Sequence, residues 1–486
     1  MSSSQIKNIA FVSLGCPKNL VDSEQMLATV IDAGYNLVPD HDEADAIIIN
    51  TCGFLEASKE ESVDVINEAV SLKETAKVQR VIAAGCLVQR HRAKLLEWCP
   101  GIDAMIGVFD RDHIVDALAT KLKDEKAPSW IAANALLAAR ARGNDEVPGY
   151  TEDDSNRLQL TPRHWAYLRV SEGCNQNCAF CTIPSIRGKM RSKPVETIVA
   201  EAKKLLASGV FELNLIGQDT TSFGDDIGYE EGLVGLLTAL NNTVAKSGGG
   251  WIRLMYAYPS NFTEEMIDAI ASLPHVVKYI DIPLQHASDS MLRAMRRNVS
   301  SKTQSELLHT LRDRVPGIAI RTTMITGFPG ETKEDHKTLV DFIATHKFDA
   351  MGVFQYSAEA GTVAGTMEND ESLRVSEKMK QTREEELMLL QQGIAFETAA
   401  KRAELECVFG VLLDEYLGET GEGKLHLFKG RTYHQAPDVD ACTIVMAEAK
   451  LTVGEVVKCT ITDSDEYDMI ARPTNELEKV LSLPLR

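Results

Sequence analysis

The sequence has no uninterrupted apolar run approaching the roughly eighteen residues needed to cross a bilayer, and Met1 to Ile6 lack a basic segment followed by an apolar one. These absences argue against a membrane span and a secretory leader, so the expected location is the cytoplasm. Long Pro-, Gly- or Ser-rich tracts are missing, as are heptads and any repeat of fixed period, which excludes collagen-like, coiled-coil and solenoid architectures. Basic charge is scarce: 51 Lys and Arg face 71 Asp and Glu, a formal net charge of −20. An acidic surface repels the phosphate backbone that supplies most nonspecific affinity for nucleic acid, so a basic partner is the easier one. Solubility alone would also account for an excess of this sign.

What is present is globular in composition, 44% hydrophobic and 25% charged, over 486 residues, enough for about three domains. Residues 1–122 alternate short apolar runs with helical stretches, as in IKNIAFVSLGC, ADAIIINTC and VQRVIAAGC, which predicts a parallel α/β sheet covered on both faces. Residues 123–163 read as a linker around one short Ala-rich helix. Within 164–400, six apolar strands, each but the last followed by a helical pattern, predict a partial (β/α)6 barrel with its reactive groups at the carboxyl ends of the strands. A charged helix closes that region. Residues 401–470 break into short strand-like runs separated by Gly, Asp and Glu, the pattern of a small all-β barrel, and 471–486 read as a tail.

Ten cysteines in a reducing compartment are metal ligands, catalytic groups or core residues before they are disulfides. Cys174, Cys178 and Cys181 form CxxxCxxC in SEGCNQNCAFC, directly after the first barrel strand. A loop this tight can aim three thiolates at one centre, and three ligands on a four-iron cluster leave one iron free for another molecule. Zinc would need a fourth protein ligand, and no His or Cys nearby in sequence supplies it. Cys16, Cys52 and Cys86 each end a strand of the first domain, in SLGC, NTCG and AAGC. Strand ends of a parallel sheet share one edge, where ligands collect, so these three can converge on a second cluster; the alternative is three small hydrophobes packed at strand ends. Cys99, Cys407, Cys442 and Cys459 lack such an arrangement and read as packing residues.

The CxxxCxxC run, with Phe180 before its third cysteine, resembles the signature of radical S-adenosylmethionine (SAM) enzymes. Together with the three-cysteine first domain and the terminal β-barrel, nearly the whole chain resembles the methylthiotransferase family, in which that barrel is called TRAM. The resemblance implies two 4Fe-4S clusters. The one at Cys174, Cys178 and Cys181 binds SAM and generates a 5′-deoxyadenosyl radical, and the one at Cys16, Cys52 and Cys86 supplies sulfur. It also implies a SAM pocket that includes Gly217, Gln218, Gln285, Gly327 and Glu331, an electron donor, and a sulfur source. Arg187 and Arg191 are candidates to neutralise a carboxylate, or else solvated loop arginines.

Two branches differ in substrate, one acting on a tRNA adenosine and one on the β-carbon of an aspartate of small-subunit ribosomal protein S twelve. SLGCPKNLVDSE, Gln218-Asp219-Thr220 and GRTYHQAPDVD resemble the ribosomal-protein branch. From Arg402 onward acids outnumber bases, which favours a basic protein partner, so nucleic acid is not expected as the direct substrate. The readings to be tested are therefore the ribosomal-protein enzyme, the tRNA enzyme, and a noncatalytic metal-stabilised ribosome- or RNA-binding module.

Overall fold

The computed structural model describes residues 6–119, 130–132, 153–421 and 425–481. The first region is a six-stranded parallel sheet of β1 (Asn8–Ser13), β2 (Asn36–Leu37), β3 (Ala46–Thr51), β4 (Arg80–Gly85), β5 (Ala104–Ile106) and β6 (Trp130–Ala132). Their order is β2-β1-β3-β4-β5-β6. β3 and β4 are buried at every position, as central strands covered on both faces must be. One face packs Ile47, Ile49, Val81 and Ala83 under helix α2 (Glu56–Thr75), and the other packs Ile9, Ile48 and Ile82 against Met26 and Val30 of α1 (Pro17–Asp32). A short α3 (Cys86–His91) follows β4 directly.

The stretch read as a linker is more than that. Its Trp130–Ala132 segment pairs with β5, whose outer backbone groups would otherwise lack partners, and becomes the sixth strand. Residues from 153 onward strap α1 down: the Leu158 N–H donates to the Glu24 carbonyl at 3.0 Å and the Leu160 N–H to Glu24 Oε1 at 2.8 Å. The Ala-rich helix expected between these segments falls largely outside the described residues.

The second region is the expected partial barrel. β7 (Trp165–Arg169) leads into a small antiparallel ribbon of β8 (Ser171–Glu172) and β9 (Arg191–Ser192). β10 (Glu212–Ile216), β11 (Trp251–Leu254), β12 (Val276–Asp281), β13 (Ala319–Thr326) and β14 (Ala350–Gln355) then add in sequence to β7, all parallel, in a sheet that stays open between β7 and β14. Alternate residues face opposite ways. Leu168, Leu213, Leu254, Ile280 and Ile320 join the outer helices in the largest core, whereas Trp165, Tyr167, Ile216, Met255 and Tyr279 line the inside. Leu20 and Val21 of α1 enter that inner cluster, as do Tyr433 and Ala436 of the last domain. Arg169, at the end of β7, pairs with Asp22 of α1, which places the first domain at the carboxyl ends of the barrel strands. Glu212, at the start of β10, pairs with Arg431 at 2.6 Å, which places the last domain at the amino ends.

Helix α4 (Glu377–Glu404) carries the chain to a closed five-stranded barrel of β15 (Val408–Glu419), β16 (His426–Arg431), β17 (Thr443–Ala447), β18 (Val456–Asp465) and β19 (Asp468–Pro473). The last strand runs past residue 470 because its carboxyl half still pairs with β18, and the short helix Thr474–Leu481 follows it. The expected tail is thus partly strand and partly helix. No helix among the described residues is long and apolar enough to cross a membrane.

Candidate active site

The loop after β8 turns on Gly173. At φ +79° it occupies the left-handed region, and a Cβ there would stand 2.1 Å from the Lys189 carbonyl oxygen, so only glycine lets the loop pass the 188–189 backbone. The Cys174 N–H donates to the Gly188 carbonyl at 3.2 Å. Each of the three sulfurs has one N–H donor at 3.4 Å: Gln176 N–H on Cys174, Ile183 N–H on Cys181, and Arg297 Nη1 on Cys178. Such donors stabilise a thiolate. Burial works against them, pushing Cys174 up to about 11 and Cys181 to about 12, so near neutrality these thiols would ionise only where a bound metal takes the place of the proton.

Cys16, Cys52 and Cys86 follow three strands that are neighbours in the sheet, β1, β3 and β4, and therefore lie along one edge. Gly15 and Gly85, both at φ above +90°, allow this. A Cβ on Gly15 would meet the Cys52 Cβ at 2.9 Å, and one on Gly85 would meet Asn50 Oδ1 at 2.2 Å. Cys86 then opens α3, buried with its thiol pushed up to about 12. Cys52 is half-buried and Cys16 exposed, so the set faces outward from the sheet edge. Among the described residues no three His, Cys, Asp or Glu side chains close around a single metal ion. A four-iron cluster takes each thiolate on a different iron, so its ligands need to share a cavity and not a common atom. The donor chemistry of both sets, all sulfur, with N–H groups aimed at each loop sulfur and at Cys86, fits such a cluster.

Arg187 links the two sets. It follows the CxxxCxxC loop by one short helix, and its Nη2 stands 3.3 Å from Cys86 Sγ. It is neither a solvated arginine nor free for a small-molecule carboxylate: only 1% exposed, it pairs with Asp22 at 3.0 Å and Glu172 at 2.8 Å. Asp22 also receives Arg169 and Arg111, each at 2.6 Å, and Glu172 receives Arg169 at 2.9 Å. Burial alone would raise the Glu172 carboxyl; Arg187 and Arg169 overrule it and hold it at about 2. Nothing in the spacing of NLVDSE announced this network. Its one signal is a pair of acids, Asp22 and Glu24, beside the apolar residues with which α1 packs.

The residues suggested for a SAM pocket lie at three strand ends. Gly217 follows β10 and passes Ser171 so closely that a Cβ would stand 2.6 Å from its Oγ. Gln218 donates from Nε2 to Glu172 at 2.6 Å, while its buried Oε1 has no partner. Gln285 takes φ +73° and bridges to β13 through its own N–H and carbonyl. Gly327, at φ +75°, is packed against Lys380. The Glu331 carboxylate is turned inward, where it accepts from the Gly327 N–H and faces Arg383 at 3.3 Å with His286 and His336 beyond. Arg191 lies over the Phe109 ring. Arg297, which bridges the Cys178 sulfur and the Pro283 carbonyl, carried no motif by which it could be picked out.

Residues 8–107 match the description Uncharacterized protein family UPF0004, residues 168–343 match the radical SAM superfamily, and residues 407–473 match the TRAM domain. The ribosomal protein uS12 methylthiotransferase RimO of Citrifermentans bemidjiense is 40% identical over 470 residues, 97% of this chain and 99% of that protein. The chain belongs to the uS12 methylthiotransferase family. The family's protein of the same name from Lachnoclostridium phytofermentans is 39% identical over 95% of this chain and 99% of its own. Among solved structures, a radical SAM methyltransferase, TsrM, from Kitasatospora setae with cobalamin and a 4Fe-4S cluster bound superposes with a TM-score of 0.52 over 74% of each chain, at 15% identity. That likeness is one of fold. Family membership carries SAM and 4Fe-4S clusters as cofactors.

Proposed function

We infer that this protein adds a methylthio group to the β-carbon of an aspartate of ribosomal protein uS12. The observation that carries the reading is identity near 40% along almost the whole length of enzymes of that name, with both cysteine sets at the carboxyl edge of their sheets. We assign Cys174, Cys178 and Cys181 to the SAM-binding cluster and Cys16, Cys52 and Cys86 to the second. When bound, the first with SAM supplies a radical able to remove hydrogen from an unactivated carbon, and the second supplies the sulfur.

The chain's own part is placement and exclusion. Asp22, Arg187 and Glu172 fix α1, and with it Cys16, against the loop that holds Cys174. Arg187 and Arg297 put positive charge beside Cys86 and Cys178, where it favours the thiolate. Leu20, Val21, Met255 and Tyr256 line the barrel mouth with apolar surface, which limits the water that reaches a reactive centre. Gln218 and Gln285 remain the polar groups best placed for SAM. The acidic terminal barrel supports recognition of a basic ribosomal protein, and the cytoplasm is where such a substrate is met. An electron donor and a sulfur source are required partners.

Mass spectrometry of uS12 and of tRNA from a deletion strain tests this reading. The methylthio group is expected to vanish from uS12, and its loss from tRNA alone would assign the chain to the other branch. Anaerobically purified protein with about eight irons, forming 5′-deoxyadenosine from SAM under reduction, separates the enzyme from a noncatalytic module.

A further inference from the structure

Lys18 lies two residues after Cys16, in the first turn of α1, and its side chain enters the mouth of the partial barrel. Its Nζ stands 2.9 Å from the centroid of the Tyr256 ring, and the residue is 5% exposed. Every other lysine or arginine with a buried side chain among the described residues has a hydrogen bond or a carboxylate partner, Arg157 the latter at 3.4 Å. Arg169, Arg187, Lys193, Arg253 and Arg431 have carboxylates, and Arg297 has a carbonyl. Lys18 has the ring alone. A cation withdrawn from water without an anion is costly, so proteins seldom leave one unless something else completes it.

The neighbouring acids are already committed. Asp281 pairs with Arg321 at 2.8 Å and accepts from the Tyr256 N–H at 3.2 Å, and both Glu172 oxygens are taken by Arg169, Arg187 and Gln218. Lys18 keeps 5% of its surface exposed, so the residue is not wholly sealed from solvent. Tyr256 itself is held at φ +60°, where a non-glycine residue is strained, by the Asp281 contact and by the Thr220 N–H on its carbonyl. Strain of this kind is kept where a side chain must point in one direction, and here it points the ring under the ammonium.

We propose that Lys18, on the Tyr256 platform, is the binding site for the side-chain carboxylate of the substrate aspartate. The proposal rests on the uS12 reading. In aspartate the carboxylate carbon is bonded directly to the β-carbon, so gripping the charge fixes the carbon to be modified within one bond. The position of Lys18, two residues from Cys16, brings that carbon to the site assigned to sulfur. A neutral side chain would leave the ammonium unpaired, which makes Lys18 a specificity-determining residue.

Two other carboxylate or anionic sources compete for the same charge: the carboxylate of SAM and the cluster held by Cys16. The test uses the cluster-loaded full chain and full-length uS12, either unaltered or with its target aspartate replaced by asparagine, and reads affinity by fluorescence anisotropy. The unaltered chain is expected to prefer the aspartate form by roughly ten- to a hundredfold, the range of a hydrogen bond to a charged group. Lys18→Met should bind both forms alike, and Lys18→Arg should recover part of the preference, with iron content and SAM affinity unchanged in both. Retention of the aspartate preference in a folded Lys18→Met, or in Lys18→Gln if Met is not tolerated, would overturn the proposal. So would a loss of iron or of SAM affinity shared by those variants, which would assign the charge to the cofactors. If the unaltered chain binds neither form of uS12, the functional reading itself fails.

Discussion

Cys174, Cys178 and Cys181 sit in eight consecutive residues of one loop, whereas Cys16, Cys52 and Cys86 are each separated by more than thirty residues and meet only because β1, β3 and β4 are neighbours in a parallel sheet. The loop site is assembled by local backbone: a positive-φ glycine at its start and an N–H donor on each sulfur. The sheet-edge site is assembled by strand pairing and by close passage of Gly15 and Gly85, and it borrows Arg187 from the other domain. A local site survives disturbance elsewhere in the molecule; a topological one depends on the register of three strands and on a domain interface.

The largest effect that would test this contrast is loss of one proposed ligand from each site. Cys178→Ala is expected to abolish both SAM cleavage and methylthiolation, and Cys52→Ala to abolish methylthiolation while leaving SAM cleavage. Each should lower iron from about eight to about four per chain. Iron assay, 5′-deoxyadenosine analysis and mass spectrometry of uS12 read the three quantities. If Cys52→Ala also ends SAM cleavage, the two sites are not separable.

Next comes the interface charge. Asp22→Ala leaves Arg169 and Arg187 short of a partner in a buried network, and removal of one member of such a set costs about 3–5 kcal/mol. Thermal unfolding should show the loss, and iron bound at Cys16, Cys52 and Cys86 should fall before iron at the loop. The pH dependence follows from Glu172, held at about 2 against an ordinary 4.5. A carboxyl lowered in the folded state contributes stability above its ordinary value and loses it as the folded state takes up the proton, so the gap between the unaltered chain and Glu172→Gln should shrink between about pH 4.5 and about pH 2. Chemical denaturation across that range measures it; a gap that widens toward acid would remove Glu172 from the network's stabilising members.

Backbone passage gives the third test. Gly85→Ala combines left-handed strain at φ +93° with a Cβ placed 2.2 Å from Asn50 Oδ1, for an expected loss of about 2–4 kcal/mol. Gly209→Ala, at φ +103° with nothing within 4 Å, carries the strain alone, about 1–2 kcal/mol. Equal losses in chemical denaturation would mean that the close approach beside Cys86 contributes nothing.

What could be read from sequence follows the same division. The six barrel strands and the loop cysteines were legible because their signals are short-range, apolar runs followed by helices and a fixed cysteine spacing. The placement of Cys16, Cys52 and Cys86 along one sheet edge was legible only through the βα alternation that makes successive strands parallel. Arg187 was misjudged because a loop arginine is solvated unless another domain covers it, and the covering helix is more than 150 residues away in the chain. Trp130–Ala132 was missed for a related reason: three residues carry no periodicity, and only the open edge of β5 makes a strand of them.

The smallest effect separates sulfur that packs from sulfur that binds. Cys459 is fully buried in the terminal barrel among Val411, Leu413 and Phe428, and burial pushes its thiol up to about 12, as it does those of Cys86 and Cys181. A raised thiol is therefore no mark of a ligand. What Cys459 lacks is a third sulfur: Cys407 borders the same barrel core and, among the described residues, no further cysteine joins them, whereas each proposed ligand set brings three sulfurs to one edge or loop. Cys459→Ala deletes one heavy atom from a closed core, a change on the scale of Ile→Val, so a loss of about 0.5–1.5 kcal/mol is expected, with iron content and methylthiolation intact. A fall in iron would place Cys459 among the ligands and would break the division between the loop and the sheet edge as the only two sulfur sites.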